Sequence, residues 1–408
     1  MPNIAPTLQL LFFADFPPSN LAGGAILMSR LLSQYPQNSL RVLTGSSYMR
    51  QSNANSLLSC QHYIFPSNNQ TGRWGVGRIK GLLNYMSAPV LLIYALFLIH
   101  RHSIKAILSV AHGYFFIVAA VTSKITKIPL VIAVHDDWFM MLKSGRIFPW
   151  ALYHQIYRLT IRSAKHIYAI SPAMVDMLKN EFNVAAELQM PAVKPCLNIN
   201  KEKRQIKQNN FSLLFAGSIG GFNIDAIELL MDVVAGNAHN KRLEKDYRFD
   251  IYSRLSRQTK IRLATGLRNC DNIKIHDWVS QDQLLHAFRN ADMLFLPLSF
   301  NKNYQAMVAT SFPTKTADYL SVFKPIIVLA PPYSTLMQYA KKSGFAAAID
   351  QFSAKFLVEA MERITNEHEY AELLIENAKR VFAVNHDLDV QYCAFKKCLL
   401  KLNPDEKT

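Results

Sequence analysis

The chain has 408 residues, of which 50% are hydrophobic and 18% charged; this composition excludes a disordered chain and a coiled coil, and the length fits two folded domains. Lys and Arg outnumber Asp and Glu by 45 to 29, which gives a net charge of +16. The excess lies in the first half, where ten Lys or Arg but no Asp or Glu occur between Asp15 and Asp136. Such a charge favours an anionic partner, either a sugar phosphate, an acidic membrane surface or a nucleic acid.

The five cysteines are scattered and include no Cys-x-x-Cys pair. This pattern favours a reducing, cytoplasmic compartment and argues against a structural zinc site. Residues 1–16 lack a basic region before their apolar run and a small-residue cleavage site, so we interpret them as a first buried strand and not as a signal peptide.

One segment, residues 81–99, carries no charge and is just long enough to span a bilayer. Asn84, Ser87 and Pro89 interrupt it, which leaves residues 90–99 as its only unbroken apolar stretch. Three interpretations stay open at this point: a spanning helix, a helix packed in a core, and a helix that lies on the membrane interface.

The first half alternates short apolar runs with helical patterns, as βα units do. The runs are continuously apolar, which is typical of a parallel sheet that is buried on both faces. The predicted elements are the strands Leu8–Phe13, Leu40–Leu43, Ala106–Val110, Leu130–Val134 and His166–Ile170, and the helices Ala25–Tyr35 and Ala173–Phe182.

Residues 194–210 are polar and basic and are predicted to form a linker, after which the α/β pattern starts again. Two successive α/β halves with a crevice between them are therefore expected, with ligands at the carboxyl ends of the strands. The elements predicted for the second half are the strands Phe211–Ala216, Phe249–Tyr252, Ile273–Ile275, Met293–Pro297 and Pro325–Ala330, the helices Asp225–Ala235, Gln283–Asn290 and Lys315–Val322, and a mostly helical segment Glu369–Leu402.

Several polar or flexible residues follow predicted strands of the first half. Gly23 and Gly24 precede a helix, where glycine lets a ligand approach the backbone closely. His112, His135 and Asp136 each come just after a strand, and a histidine there can donate a hydrogen bond to a sugar hydroxyl. Their spacing matches no metal template, and neither a GxGxxG nor a GxxxxGK[ST] motif is present, which disfavours a nicotinamide cofactor and a P-loop enzyme.

The densest signal lies at residues 311–320. Pro313 and Thr314 are predicted to begin a helix whose first-turn amides point into the crevice. Lys315 supplies a positive charge for a phosphate, and Asp318 can accept hydrogen bonds from two ribose hydroxyls. A capped surface helix with a Lys–Asp pair explains the same residues without a ligand.

In their order and spacing these segments resemble the GT-B glycosyltransferases of the large retaining class, family 4 and its relatives, which includes bacterial polysaccharide and phosphatidylinositol mannosyltransferases. The resemblance covers nearly the whole chain. It rests on Gly23-Gly24, His112, the segment Pro129–Asp136, AKHIYAISPAM at 164–174, FSLLFAGSIG at 211–220, ADMLFLP at 291–297, and FPTKTADYL followed by KPIIV at 312–328.

The resemblance implies roles for individual residues. Asp318 matches the second acidic residue of the family's Glu-x7-Glu motif, which holds the ribose, and His112 matches the histidine that touches the transferred sugar. The other matches are Trp278 and Val279 to the loop that contacts the base, Ser218 to the start of the diphosphate loop, and Gly23 to the approach of the backbone to diphosphate or acceptor.

The chain departs from the family pattern at two points. The first Glu of the motif falls on Thr310, and Gly221-Phe222-Asn223 stands where the family has Arg and Lys. Arg254 and Lys315 are the candidate replacements for these phosphate contacts, so we assign them, with His112, to catalysis. No metal is expected if these cations stabilise the leaving group.

The family implies two Rossmann-like domains that face each other across a cleft, with the C-terminal helix crossing back. We predict an acceptor domain at 1–200, a nucleotide-sugar domain at 201–380 and the returning helix at 381–408. The implied activity is retaining transfer of a hexose from a nucleoside-diphosphate sugar to a glycan or lipid-linked acceptor, in cell-surface polysaccharide biosynthesis. A nucleotide-sugar epimerase or phosphorylase, or a non-catalytic partner subunit, remains an alternative.

The charge asymmetry then becomes a prediction about the acceptor. The basic stretch and the apolar segment 81–99 fall in the same predicted domain, together with Arg73, Arg78 and Lys80. This combination predicts a peripheral enzyme on the inner face of the plasma membrane. A nucleic acid is not an expected partner, since Lys/Arg-rich runs with interleaved aromatic residues are missing.

Overall fold

The computed structural model describes residues 8–20, 23–50, 52, 57–67, 83–136, 150–196, 210–236, 245–264, 270–277 and 279–402. The chain divides into two compact units. Unit 1 comprises Met1–Ala192 and Leu388–Thr408, and unit 2 comprises Val193–Asp387.

Unit 1 is built on a parallel sheet. In its described part the sheet has seven strands in the order β3-β2-β1-β4-β5-β6-β7. The strands are β1 (Leu10–Phe13), β2 (Leu40–Gly45), β3 (Gln61–Phe65), β4 (Ala106–Val110), β5 (Leu130–Val134), β6 (His166–Ala169) and β7 (Glu187–Leu188). The helices before the crossing to unit 2 are α1 (Gly23–Ser33), α2 (Ser46–Met49), α3 (Ala88–Arg101), α4 (Phe115–Thr126), α5 (Trp150–Ser163) and α6 (Pro172–Phe182).

The central strands of this sheet, β1, β4 and β5, consist almost entirely of apolar residues and are buried along their whole length. Continuous apolar runs are what a parallel sheet covered on both faces requires. The predictions of strands at Ala106–Val110 and Leu130–Val134 are confirmed with the same bounds. Phe115 at the start of α4 packs edge-on against Phe13 of β1, with ring centroids 5.8 Å apart, which fastens the helix layer to the sheet.

Unit 2 repeats the plan with a six-stranded parallel sheet, counted within the described residues, in the order β10-β9-β8-β11-β12-β13. Its core includes Phe249, Phe295 and Ile327, all fully buried. The strands are β8 (Asn210–Ala216), β9 (Asp246–Tyr252), β10 (Ile273–His276), β11 (Met293–Pro297), β12 (Ile326–Leu329) and β13 (Ala347–Ile349). The helices are α7 (Ile224–Val234), α8 (Arg257–Ala264), α9 (Gln281–Asn290), α10 (Gln305–Thr310), α11 (Lys315–Leu320), α12 (Thr335–Ser343), α13 (Ala354–Asn366) and α14 (His368–Val381).

The chain returns to unit 1 at its C-terminal end. After α14 and a π-helical turn at Phe382–His386, helix α15 (Leu388–Lys401) packs against α1. Phe395 of α15 is fully buried and its ring centroid lies 6.2 Å from that of Tyr168 in β6. The aromatic contact therefore anchors the last helix to the sheet of unit 1.

Part of the apolar segment 81–99 forms helix α3, which has 14 residues. Pro89 lies in its first turn, where the missing N–H has no consequence. Leu91, Ala95 and Leu98 are buried, whereas other apolar side chains of the helix remain exposed. Of the helices in the described ranges, none combines the length and the apolar character needed to cross a bilayer.

The start of α6 provides a test of the local fold. The hydroxyl of Ser171 caps the helix by accepting a hydrogen bond from Met174 N–H at 3.1 Å, in a buried position. We expect Ser171→Ala to lower the free energy of unfolding by about 1 kcal/mol, because the Met174 N–H loses the hydroxyl acceptor and keeps only the Ser171 carbonyl, also at 3.1 Å. Urea denaturation followed by circular dichroism measures this change.

The matched control is Ser163→Ala at the exposed end of α5, where the hydroxyl donates to Thr160 O at 2.7 Å. Its effect should stay within about 0.5 kcal/mol. Equal losses in the two variants would show that the Ser171 cap contributes nothing specific.

Candidate functional site

The strand order creates a crevice in unit 1. Strand β1 lies between β2, the next strand in the chain, and β4. Its pairing with β4 sets Phe12 opposite Leu108. The loops after β1 and β4 therefore diverge at the carboxyl edge of the sheet, which is where such folds bind ligands. Asp15 follows β1 at this edge, and His112 follows β4.

Asp15 and His112 form a close pair although they are 97 residues apart in the chain. Nδ1 of His112 lies 2.9 and 2.8 Å from the two carboxylate oxygens of Asp15. The side chain of Asp15 is 8% exposed and that of His112 is 22% exposed. Because Asp15 accepts a hydrogen bond from Nδ1–H, the ring can offer only Nε2 to a substrate.

The neighbours of this pair restrict its geometry. Gly113 has a φ of +64°, and a Cβ at this position would overlap Oδ2 of Asp15. A side chain there would therefore both strain the backbone and displace the carboxylate. The rings of Phe16 and Tyr48 lie edge-on to His112, with centroids 5.7 and 6.1 Å from the imidazole. The imidazole is thus held from several sides.

The two histidines at this edge have opposite electrostatic environments. Burial alone would lower the pKa of His112, but the charge and hydrogen bond of Asp15, together with the charge of Asp136, raise it above its ordinary value. Burial lowers the pKa of His135 to about 4, and the neighbouring His112 contributes to this effect. His135 is therefore neutral near pH 7, whereas His112 readily takes up a proton.

The remaining candidates of unit 1 lie around His135. Gly24 is in the first turn of α1, and a Cβ added to it would come within 3.0 Å of His135 Nδ1. Gly23 is the first residue of the same helix, and Asp136 is exposed after β5. Within the part of the chain that the structure describes, the buried Nδ1 of His135 has no hydrogen-bond partner. Unit 1 thus brings together Gly23, Gly24, His112, His135 and Asp136.

In unit 2 the corresponding edge holds Lys315. The lysine begins α11, and its Nζ atom lies against Gly217, directly after β8, and 4.8 Å from the ring centroid of Phe215. Gly217 has a φ of +139°, and a Cβ there would overlap the lysine ammonium. Burial lowers the pKa of Lys315 to about 8 against the opposing charge of Asp318, so the amine is still mostly protonated at pH 7.

Hydrogen bonds hold the loop that follows Gly217, both at the strand before it and between residues of the loop itself. Ala216 N–H donates to the hydroxyl of Tyr319, a fully buried residue of α11, at 2.9 Å. Asn223 accepts a hydrogen bond from Gly220 N–H at 3.1 Å and donates one to the carbonyl of Ser218 at 3.0 Å. The exposed Ser218 therefore lies on a loop whose two ends are tied down.

The other predicted residues of unit 2 lie along the same edge. Asp318 is one turn after Lys315 on α11, and Arg254 is exposed two residues after β9. Pro313 precedes α11 instead of lying in its first turn as expected, because Thr314 is the N-cap residue. Val279 is partly buried after β10, whereas Trp278 lies outside the described residues.

The sequence alone did not indicate four residues that lie at these sites. Asp15 carries the clearest signal, since it is the only acid before Asp136 and follows a strand directly. Tyr319 lies at a position typical of the buried face of a helix, and the sequence does not indicate that its hydroxyl accepts a hydrogen bond from Ala216 N–H. Tyr252 and His276 end the neighbouring strands β9 and β10, and their rings stack with centroids 4.3 Å apart.

Across the described ranges, no group of three or more His, Cys, Asp or Glu side chains is placed to hold a metal ion.

Solved structures with the same architecture are similar to this chain over nearly its whole length. HepE from Anabaena, solved with UDP and glucose, gives a TM-score of 0.64 at 12% identity and covers 96% of this chain and 99% of its own. A glycosyltransferase from Rickettsia africae gives 0.68 at 11% identity, with 99% and 100% covered. WaaG, a glycosyltransferase involved in lipopolysaccharide biosynthesis, gives 0.60 at 13% identity, with 95% and 99% covered. No curated protein sequence is significantly similar to the chain.

The fold is therefore that of the GT-B glycosyltransferases. Within that class, residues 70–189 match the model of Glycosyltransferase Family 4. This match lies in unit 1 and includes β4, β5 and His112. The resemblance to family 4 glycosyltransferases that the sequence indicated is confirmed.

The pair in unit 1 makes a prediction about pH. We expect Asp15→Asn to lower the pKa of His112, measured by NMR titration of its Cε1 proton, because the carboxylate that raises this pKa is gone. A raised folded pKa contributes stability that is complete below the ordinary value of about 6.5 and is lost as the pH rises through the folded value. The difference in free energy of unfolding between wild type and variant should therefore be larger at pH 6 than at pH 9.

Asp136→Asn is the matched control, since its exposed carboxylate is the smallest contributor to the raised pKa of His112. It should shift the His112 titration much less. An unchanged titration in Asp15→Asn would mean that the carboxylate does not control the imidazole.

Proposed function

We propose that this glycosyltransferase transfers a hexose from a nucleoside-diphosphate sugar to a hydroxyl of a glycan or lipid-linked acceptor, in cell-surface polysaccharide biosynthesis and with retention at the anomeric carbon. The observation that carries the proposal is the ammonium of Lys315 set against Gly217 at the carboxyl edge of unit 2. HepE, which has this fold, was solved with UDP and glucose and with UDP-glucose, which supports a nucleotide sugar as donor here.

In this proposal unit 2 binds the donor. Lys315 and Arg254 neutralise the charge that develops on the departing diphosphate, and the absent side chain of Gly217 leaves room for the Lys315 ammonium. The carboxylate of Asp318 accepts hydrogen bonds from the ribose hydroxyls. Further donor contacts are assigned to the backbone around Ser218, to the base-binding segment Trp278–Val279, and to the start of α11 at Pro313 and Thr314.

Unit 1 in turn binds the acceptor and orients the hexose. Nε2 of His112 faces the sugar while Asp15 holds Nδ1, so the histidine positions the sugar and is not required as a base. The bond from the anomeric carbon to the departing phosphate oxygen breaks, a bond to the acceptor oxygen forms, and the acceptor proton passes to that phosphate oxygen. Gly23, Gly24, His135 and Asp136 are assigned to the acceptor side.

The place of action follows from the acceptor. A lipid-linked acceptor requires access to a membrane, and the net charge of +16 favours an anionic surface. We therefore propose that the enzyme is peripherally associated with the inner face of the plasma membrane. The participation of WaaG in lipopolysaccharide biosynthesis supports a cell-surface glycan as product.

A glycine pair tests the donor site. We expect Gly217→Ala to weaken UDP binding by about tenfold or more, because the new Cβ strains the backbone and displaces Lys315. Gly220→Ala is the matched control in the same loop, since nothing lies within 4 Å of a Cβ there. Isothermal titration calorimetry of both variants measures the effect. Equal affinities of the two variants for UDP would contradict the assignment of Lys315 to the diphosphate.

Turnover tests the activity itself. His112→Ala and Asp318→Ala should each lower kcat/KM for the donor by about tenfold to a hundredfold, since each removes a hydrogen bond to a charged or polar substrate group. Lys342→Ala in the last turn of α12, an exposed residue where that helix leads into β13 at the opposite edge of the sheet, should retain full activity. Unchanged turnover in both site variants would refute these assignments.

The same assay separates the alternatives. Donor consumption in the absence of any acceptor would indicate an epimerase or, when phosphate is required, a phosphorylase. Nucleotide binding without turnover on any acceptor would indicate a non-catalytic subunit, a role that the replacement of the motif's first Glu by Thr310 makes worth testing.

A further inference from the structure

Unit 1 carries an exposed apolar surface that neither the fold nor the site requires. Five large apolar side chains recur every three or four residues and are each at least 49% exposed. They are Leu83, Met86, Val90, Ile93 and Phe97, and we call them the α3 stripe. Residues 83–86 are helical and precede α3, which contains the other three. The spacing places all five on one side of a helical path.

The opposite side of α3 already satisfies the core. Leu91, Ala95 and Leu98 are at most 1% exposed and fasten the helix to unit 1. An outward helix face in a globular protein is normally polar, so an apolar outer face marks a surface that meets another apolar phase. Helix α4, which packs against α3, adds the exposed side chains of Val121 and Ile125.

Basic groups border this surface. Arg101 and Lys105 are exposed at the end of α3 and just after it, and Lys124 and Lys127 are exposed at the end of α4. Both helices lead into parallel strands, so these ends lie at the same edge of the sheet. No Asp or Glu occurs in residues 83–135 to offset the charge.

We propose that the α3 stripe, with Val121 and Ile125, inserts into the interface of an anionic lipid bilayer, with the four basic side chains on the headgroups. This surface would hold the enzyme at the membrane where we propose that it acts. The biological role of the surface rests on the proposed function, whereas binding of the surface to a bilayer does not. Helix α3 is about 21 Å long at 1.5 Å per residue, too short for a hydrocarbon core of about 30 Å, so it lies in the plane of the interface.

The charge distinguishes a bilayer from a second copy of the chain. In a symmetric dimer each α3 stripe would face the same patch on its partner, and this patch offers no Asp or Glu from residues 83–135 to pair with the basic groups that border it. Anionic headgroups neutralise this charge instead, and each Lys or Arg near such a surface strengthens binding by about fivefold. An anionic bilayer is therefore the occupant that both the apolar and the basic residues fit.

The test is co-sedimentation of the full-length protein with vesicles, without donor or acceptor. Wild type should bind vesicles that contain phosphatidylglycerol more strongly than vesicles of phosphatidylcholine alone, and added salt should weaken the binding. Ile93→Asp and the double variant Ile93→Asp/Phe97→Asp should each reduce binding by about tenfold or more. Leu373→Asp is the matched control, an exposed apolar residue on α14 of unit 2, and should bind as wild type does.

Folding and activity are read out separately. The melting temperature and the affinity for UDP should be unchanged in the stripe variants, because the substituted side chains are exposed and lie outside unit 2. Failure of UDP binding in wild type would refute the donor proposal and leave the vesicle result intact. The inference would be overturned if both stripe variants bound vesicles as strongly as wild type does. It would also be overturned if these variants lost a dimer that wild type forms but still bound vesicles. Lys124→Gln/Lys127→Gln should bind anionic vesicles more weakly and with less salt dependence; an undiminished affinity would also overturn it.

Discussion

The reversal of strand order beside β1 and beside β8 is the constraint from which both candidate sites follow. In each sheet the first strand lies between a neighbour reached directly and a neighbour reached after two further strands. The loops at the carboxyl ends of those strands must separate, and residues far apart in the chain meet beside the opening. Asp15 meets His112 in this way in unit 1, and Gly217 meets Lys315 in unit 2.

At both edges a glycine with positive φ allows a charged group to approach the backbone. Gly113 accommodates the carboxylate of Asp15, and Gly217 accommodates the ammonium of Lys315. Each charge is partly removed from water. Burial lowers the pKa of Lys315, and the carboxylate of Asp15 accepts a hydrogen bond from His112 Nδ1. The pair of Asp15 and His112 fixes the orientation of a ring that faces the crevice.

The sequence predicted strands well where burial is complete on both faces. β4, β5 and β11 have the predicted bounds, because continuous apolar runs between polar turns leave no alternative of similar length. β3 was missed because Gln61–Phe65 is largely exposed or half-buried at the sheet edge and its pattern is mixed. β13 was missed because Ala347–Ile349 has only three residues, which are small or branched. Its place in the sheet depends on pairing with β12, and a local sequence pattern cannot show this pairing.

The candidate site was predictable only in part, for a related reason. His112 was predicted because it follows a strand, and Lys315 because it begins a helix. Both are local features of the sequence. The partners that decide their chemistry, Asp15 and Gly217, are 97 and 98 positions away, and only the pairing of strands brings them together. The contribution of Asp15 to the raised pKa of His112 is a tertiary property and was not accessible from spacing.

Asp15 also changes how the charge of unit 1 is understood. It is the only acid among the first 135 residues, yet its side chain is 8% exposed and its charge is engaged with His112. The one negative group of this stretch therefore offsets little of the field that the exposed Lys and Arg residues produce at the surface. In the proposed function unit 2 binds the donor diphosphate through Lys315 and Arg254, so we assign the positive field of unit 1 to the interaction with the acceptor and the surface that carries it.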